Sequence, residues 1–212
     1  MAVAWVQSVT GSFTGVSGTI NITVKAGSAI VLSLSEFNTN NTATVSDGQG
    51  SYTLLSAPGY VNSAFNTLSV FYLLNASGST HTITITPSSS TTCQFDASEY
   101  SGVLAIAPGA GNVQVNPGAG ANAITSTAFL AANGSLVVGN CWDVTSTSLP
   151  TSSNGTIRVS SNNVAVSDLA GTGVSISCTY TDPNGGSNSY ATLGFSLLPA
   201  GPPYSLSCDL YF

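Results

Sequence analysis

The chain has 212 residues, 42% of them hydrophobic but only 5% charged, so Ser, Thr, Asn, Gln and Gly must supply most of its polar surface. Two basic residues, Lys25 and Arg158, stand against eight acidic ones for a net charge of −6, which excludes a Lys/Arg surface for phosphates and with it a nucleic acid partner. No apolar stretch nears the ~18 residues of a membrane span, so a membrane partner is excluded as well. Length alone permits one large β-rich domain or two small ones, either with a core sufficient without a metal.

In chain order, Met1 to Thr10 lacks the basic region and continuous apolar run of a secretory leader. The expected setting is therefore a virion surface or the extracellular space without a visible signal peptide, a leader removed beforehand being the alternative. Ile20, Ile22 and Val24 alternate with Asn21, Thr23 and Lys25, the pattern of a half-buried strand. Ala29 to Phe37 is a denser apolar run, as is Leu136 to Trp142, and both read as central strands covered on two faces. Ile83 and Ile85 alternate with Thr82, Thr84 and Thr86 as a further strand. Turns are marked at Asp47-Gly-Gln-Gly50, Asn75-Ala-Ser-Gly78, Asn133-Gly134, Asn154-Gly155 and Asp182-Pro-Asn-Gly-Gly186.

Ala26 to Phe37 returns in outline as Ala132 to Trp142, an internal echo that implies two half-sheets of similar design. The Gly, Pro and Ala residues between them, 107 to 121, read as a long crossover at the rim, because each half alone would expose a broad apolar face. The expected fold is all-β: a two-sheet antiparallel sandwich, jelly-roll-like, spanning 1–198 as one domain of two similar halves. Residues 199–212 then form a Pro-rich spacer and an extended C-terminal strand. In that tail Leu206, Cys208, Leu210 and Phe212 share one strand face, and Ser205, Ser207, Asp209 and Tyr211 the other. It either closes its own sheet or reaches a neighbouring subunit, which makes Tyr204, Leu206, Leu210, Tyr211 and Phe212 the candidate assembly contacts.

Thr44 to Leu54 (TVSDGQGSYTL), Val70 to Asn75, Ser79 to Ile85 and Ala97 to Gly102 (ASEYSG) follow one another in an order that resembles a family of β-sandwich domains in bacterial surface proteins and phage structural proteins. Val3 to Ser8 and Gly194 to Pro199 resemble its ends, and the chain departs from it at Gly50-Ser51. The resemblance implies a sandwich used for display, adhesion or assembly, and it brings no catalytic motif.

Enzyme chemistry is poorly supplied. The single histidine, His81, reads as a solvated residue on the polar face of its strand, with no acid or nucleophile tied to it by spacing. Asp96 and Glu99 are three apart, so on a strand they face opposite ways and cannot flank one bond. Asp47 and the pair Asp182 and Asn184 could offer oxygens to calcium, but turn formation accounts for them, and no cofactor or metal is expected. Cys93, Cys141, Cys178 and Cys208 include no CxxC pair and read as buried thiols, two disulfides being the rival. Trp5, Trp142 and the tyrosines could stack on a glycan, although Trp142 lies in the densest apolar run and reads as core. The expectation is a non-enzymatic virion structural protein, a phage capsid decoration or fibre subunit. Its expected partners are other virion or surface subunits or itself, assembling through β-edge and apolar contacts. The alternatives are a secreted carbohydrate-binding module or adhesin with a glycan partner and, further off, a hydrolase with facing carboxylates.

Overall fold

Short runs rich in Thr, Val and Ser, alternating apolar with polar and punctuated by Gly and Asn, favour extended chain over helix. The computed structural model follows them. It describes residues 1–37, 43–55, 60–62, 67–114, 123–143, 150, 153–161, 164–181 and 190–200, and among these it contains strands and no helix. The first half holds β1 (Ala4–Gly15), β2 (Gly18–Thr23), β3 (Ala29–Glu36), β4 (Thr44–Ser46), β5 (Thr53–Leu54), β6 (Tyr60–Asn62), β7 (Thr67–Leu73), β8 (Thr80–Thr86) and β9 (Thr91–Ser101). The second holds β10 (Val103–Gln114), β11 (Ala123–Thr125), β12 (Phe129–Leu130), β13 (Leu136–Asp143), β14 (Thr156–Ser161), β15 (Val164–Ala170), β16 (Ser175–Ile176), β17 (Thr179–Thr181) and β18 (Tyr190–Pro199).

Two principal antiparallel sheets carry the fold, one ordered β1-β9-β3-β7-β5 with β6 also on β7, the other β10-β18-β13-β15-β14. They pack face to face through Val31, Leu68, Val70 and Tyr100 on one side and Val138, Trp142, Val166, Leu193, Phe195 and Leu197 on the other. Each is also covered on its outer face. The three-stranded sheet β2-β8-β4 closes over Ile30, Leu32, Leu34 and Phe95, and the small pairs β11-β17 and β12-β16 close over Val137, Cys141 and Tyr190. The expected two-sheet sandwich is thus the middle of four layers. That is why β3 and β13 read as apolar on both faces: Ala29 to Glu36 is buried at every position. Each fully buried Leu, Val or Phe contributes on the order of 1.5–3 kcal/mol, so the shared middle core is a large part of what holds the halves together.

The halves repeat one design. β3 sits between β9 and β7 as β13 sits between β18 and β15, and the first strand of each half, β1 or β10, pairs with its last. The turns before β3 and β13 match bond for bond. Gly27 and Gly134 take φ of 82° and 75°, left-handed values that favour glycine. The Ser28 amide donates to the Lys25 carbonyl as Ser135 does to Ala132, and Ala76 donates to Ser28 as Gly171 does to Ser135. Across the middle core β1 lies against β14 and β10 against β6, one contact seen twice under exchange of the halves, as an isologous twofold requires. On that pseudo-axis the Ser33 hydroxyl donates to Asn140 Oδ1 at 2.7 Å, joining equivalent positions of β3 and β13.

Candidate functional site

Polar chemistry gathers in two buried places and at one strand edge. The first place is His81. Its position on β8 has the parity of Ile83 and Ile85, so its side chain points into the core, and it is wholly buried rather than solvated. The expectation of an exposed, unpartnered histidine is corrected here. Pairing of β4 with β8 brings in Asp47 from the turn after β4. Asp47 Oδ1 accepts the amides of Gln49 and Gly50, each at 2.7 Å, while Oδ2 lies 2.6 Å from His81 Nδ1 and accepts the Tyr52 hydroxyl at 3.3 Å. Burial pushes the Asp47 carboxyl up, but the His81 bond and the two amides outweigh it and hold the group below the usual carboxylate range. Burial and the Asp47 charge push the Tyr52 phenol up.

Ser77 completes an arrangement with the order of a Ser-His-Asp triad, its hydroxyl 3.3 Å from His81 Nε2. The Ser77 hydroxyl is bonded elsewhere. Gln49 donates its Nε2 to the Thr80 carbonyl, which turns its Oε1 toward the hydroxyls of Ser77 and Ser79. The Ser77 proton is therefore directed at Gln49, and His81 Nε2 faces the Ser77 carbonyl at 3.1 Å. A carboxylate lies on one side of the ring, and the Ser77 carbonyl and hydroxyl lie on the other. The ring thus bridges Asp47 and Ser77. It clamps the 75–79 turn to the 47–50 turn.

The second place lies between the principal sheets. Trp5 Nε1 donates to Ser8 Oγ at 3.0 Å, Ser8 lies 2.6 Å from Ser98 Oγ, and Ser98 donates to Asp96 Oδ2 at 2.6 Å. The chain of donors ends on a carboxyl that burial pushes up to about 7, with the Ser98 and Ser8 hydroxyls pulling the other way. Asp96 Oδ1, Asn140 Nδ2, the Tyr100 hydroxyl and Trp142 Nε1 are buried without a partner. At the rim Arg158 donates to Asp168 at 2.7 Å and its guanidinium sits 5.3 Å from the centre of the Trp5 ring. Asp96 itself is 1% exposed, closed off from solvent between the sheets. Glu99 points the opposite way, accepting the Lys25 amide, the Ser28 hydroxyl and the Gln7 amide group. Burial raises its carboxyl, but these bonds together lower it below the ordinary value. The two carboxylates do not face one another, as their spacing predicts.

Trp142 is buried in the middle core, as its apolar surroundings predict, and Arg158 lies over one face of the partly buried Trp5. Cys93, Cys141 and Cys178 are buried thiols outside any disulfide. Burial and the neighbouring Glu36 push the Cys93 thiol up to about 12, and burial, opposed by a bond from Ser126, takes Cys178 to about 12. Cys208, Asp182, Asn184 and the proposed contacts Tyr204, Leu206, Leu210, Tyr211 and Phe212 lie outside the described residues. Among the described residues no group of three or more His, Cys, Asp or Glu side chains is placed to hold a metal.

The third feature is an edge. Three of the four edges of the principal sheets carry features that discourage further pairing. β5 and β6 have two and three residues; β10 contains Pro108 and two register shifts; β14 carries Arg158 and a shift between Ile157 and Val159. β1 differs. It is twelve residues long with no charge and no proline, and after one irregularity at Trp5/Gln7 its register with β9 runs unbroken from Gln7 to Gly15. Among the described residues no strand pairs with its other side. Sequence reading missed this strand because its apolar residues are sparse, although the lack of charge and proline over 4–15 was visible.

These features define an antiparallel β-sandwich of two equivalent halves. No protein-family model matches the chain, and the search of curated proteins finds no match.

Proposed function

We propose that this protein is a non-enzymatic structural subunit of a virion, a capsid decoration or fibre component that assembles through β-strand edges and apolar contacts. The observation that carries the reading is the edge of β1, a long uncharged strand whose outer side pairs with no strand among the described residues, beside three edges that are blunted. Further support comes from the Ser77 hydroxyl donating to Gln49 rather than to His81, the closure of Asp96 from solvent and the resemblance of the 44–102 motifs to phage and bacterial surface sandwiches. The test is mass spectrometry of density-gradient-purified particles from a culture producing the protein. The chain should be present in the particle band at a fixed ratio to the main shell protein. Recovery only in the soluble fraction would refute the reading.

A further inference from the structure

We infer that the occupant of the β1 edge is β1 of a second copy of this chain, paired antiparallel with Gly11 on the twofold axis. The inference rests on the assembly reading and names its contact. An isologous contact must be self-complementary, and residues 7–15, Gln-Ser-Val-Thr-Gly-Ser-Phe-Thr-Gly, are so about Gly11. Folding the segment on itself sets Ser8 against Thr14, Thr10 against Ser12 and Val9 against Phe13. Hydroxyl pairs then occupy one face and a β-branched residue meets an aromatic ring on the other, both favourable cross-strand combinations. Moving the axis one residue to either side sets Gln7 or Gly11 against Phe13 instead.

The local packing agrees with this register. Val9 and Phe13 are only partly buried and pack at the margin of the core between β1-β9-β3-β7-β5 and its outer sheet. In the paired state the Val9 of one copy would cover the Phe13 of the other, extending that core across the axis. Ser12 and Thr14 are exposed on the opposite face; Thr14 Oγ1 lies 2.9 Å from Thr92 Oγ1, and because a hydroxyl both donates and accepts, it can take a further bond from its mate.

Charge points to the same occupant. Two copies at −6 each repel over most of their surfaces, and a basic partner would be drawn to the acids. β1 carries no charge at all, and the acids of its neighbour β9, Asp96 and Glu99, are buried, so this edge is where two copies meet without opposing charges. Nine paired residues fall well below the 20–30 residues a side of a standard stable interface. The contact therefore forms a dimer that separates on dilution and is strengthened where a particle holds copies side by side.

The test is light scattering on the full chain and on Ser12→Lys and Ser12→Glu, each checked for an unchanged fold by circular dichroism, over a wide concentration range. The two residues at position 12 lie diagonally across the axis, within reach of long side chains. The wild type should rise from 21.2 kDa toward twice that mass. Each charged variant should remain at the lower mass, and their equimolar mixture should regain the dimer. A wild type that stays monomeric at every concentration overturns the inference, as does a dimer that survives both single substitutions. Either failure leaves the particle measurement to decide the structural reading by itself.

Discussion

Replacing Asp96 by Asn isolates the cost of a charge buried between the sheets. In the unfolded chain the carboxyl titrates near 3.8, whereas in the folded protein burial raises it to about 7. Between those values the folded state holds a proton that the unfolded state has lost, so stability falls as pH rises through the window. At 1.36 kcal/mol per pH unit, the gap from 3.8 to about 7 corresponds to about 4 kcal/mol once pH exceeds the folded value. Asn carries no charge and removes this dependence. It also places an unpaired amide where Oδ1 was, at a cost of about 1–3 kcal/mol, but that offset does not vary with pH. Urea denaturation of both proteins at pH 4, 6 and 8 should show the variant gaining on the wild type by about 4 kcal/mol between the extremes. A difference that is the same at pH 4 and pH 8 would refute the assignment of a buried, protonated Asp96.

Other groups respond in different ways. Asp47→Ala leaves a buried His81 nitrogen and the Gln49 and Gly50 amides without their acceptor and should cost about 1–3 kcal/mol, read from chemical denaturation. Because the Asp47 carboxyl is lowered in the folded state, its contribution is complete above the unfolded value of 3.8 and is lost as pH falls through the folded one. The gap between wild type and Asp47→Asn in thermal melts should therefore close on acidification, and a widening gap would contradict the pairing. Gly139→Ala would put a Cβ 2.7 Å from Cys178 Cβ and 2.9 Å from the Tyr180 hydroxyl, so a loss of about 1–3 kcal/mol is expected in a melt. Cys93, Cys141 and Cys178 should resist a thiol reagent at neutral pH until denaturant is added, since all three are buried and burial keeps Cys93 and Cys178 protonated. Peptide mapping showing rapid labelling of any of them in the native protein would count against the packing described.

Much of this architecture was legible because strands write their faces into the sequence with period two. Ile20 and Ile22 point inward and Asn21 outward as their alternation requires, and Asp96 and Glu99 diverge for the same reason. The dense runs at 29–37 and 136–142 carried the layer count, since only a strand covered twice is apolar at successive positions. The echo between them became structural fact at Ser33 and Asn140, which touch across the pseudo-axis. What local sequence could not supply was register. Asp47 and His81 are 34 positions apart, and nothing near either residue says that β4 will lie beside β8. The same rule of alternation, applied from Ile83 back to His81, shows the histidine facing the core. A polar residue there is tolerated only because a distant carboxylate meets it. Trp5 and Arg158 meet for a similar reason, through the packing of one half on the other, while Arg158 reaches Asp168 across the β14–β15 pair.

Hydrogen exchange on β1, compared between the free chain and the same chain assembled in particles, tests the central claim most directly. Assembly through this edge predicts slowed exchange across residues 4–15 in the particle, with the amides of the blunted edge β14, residues 156–161, exchanging alike in both states. Equal exchange across β1 in the free and assembled forms would contradict the account.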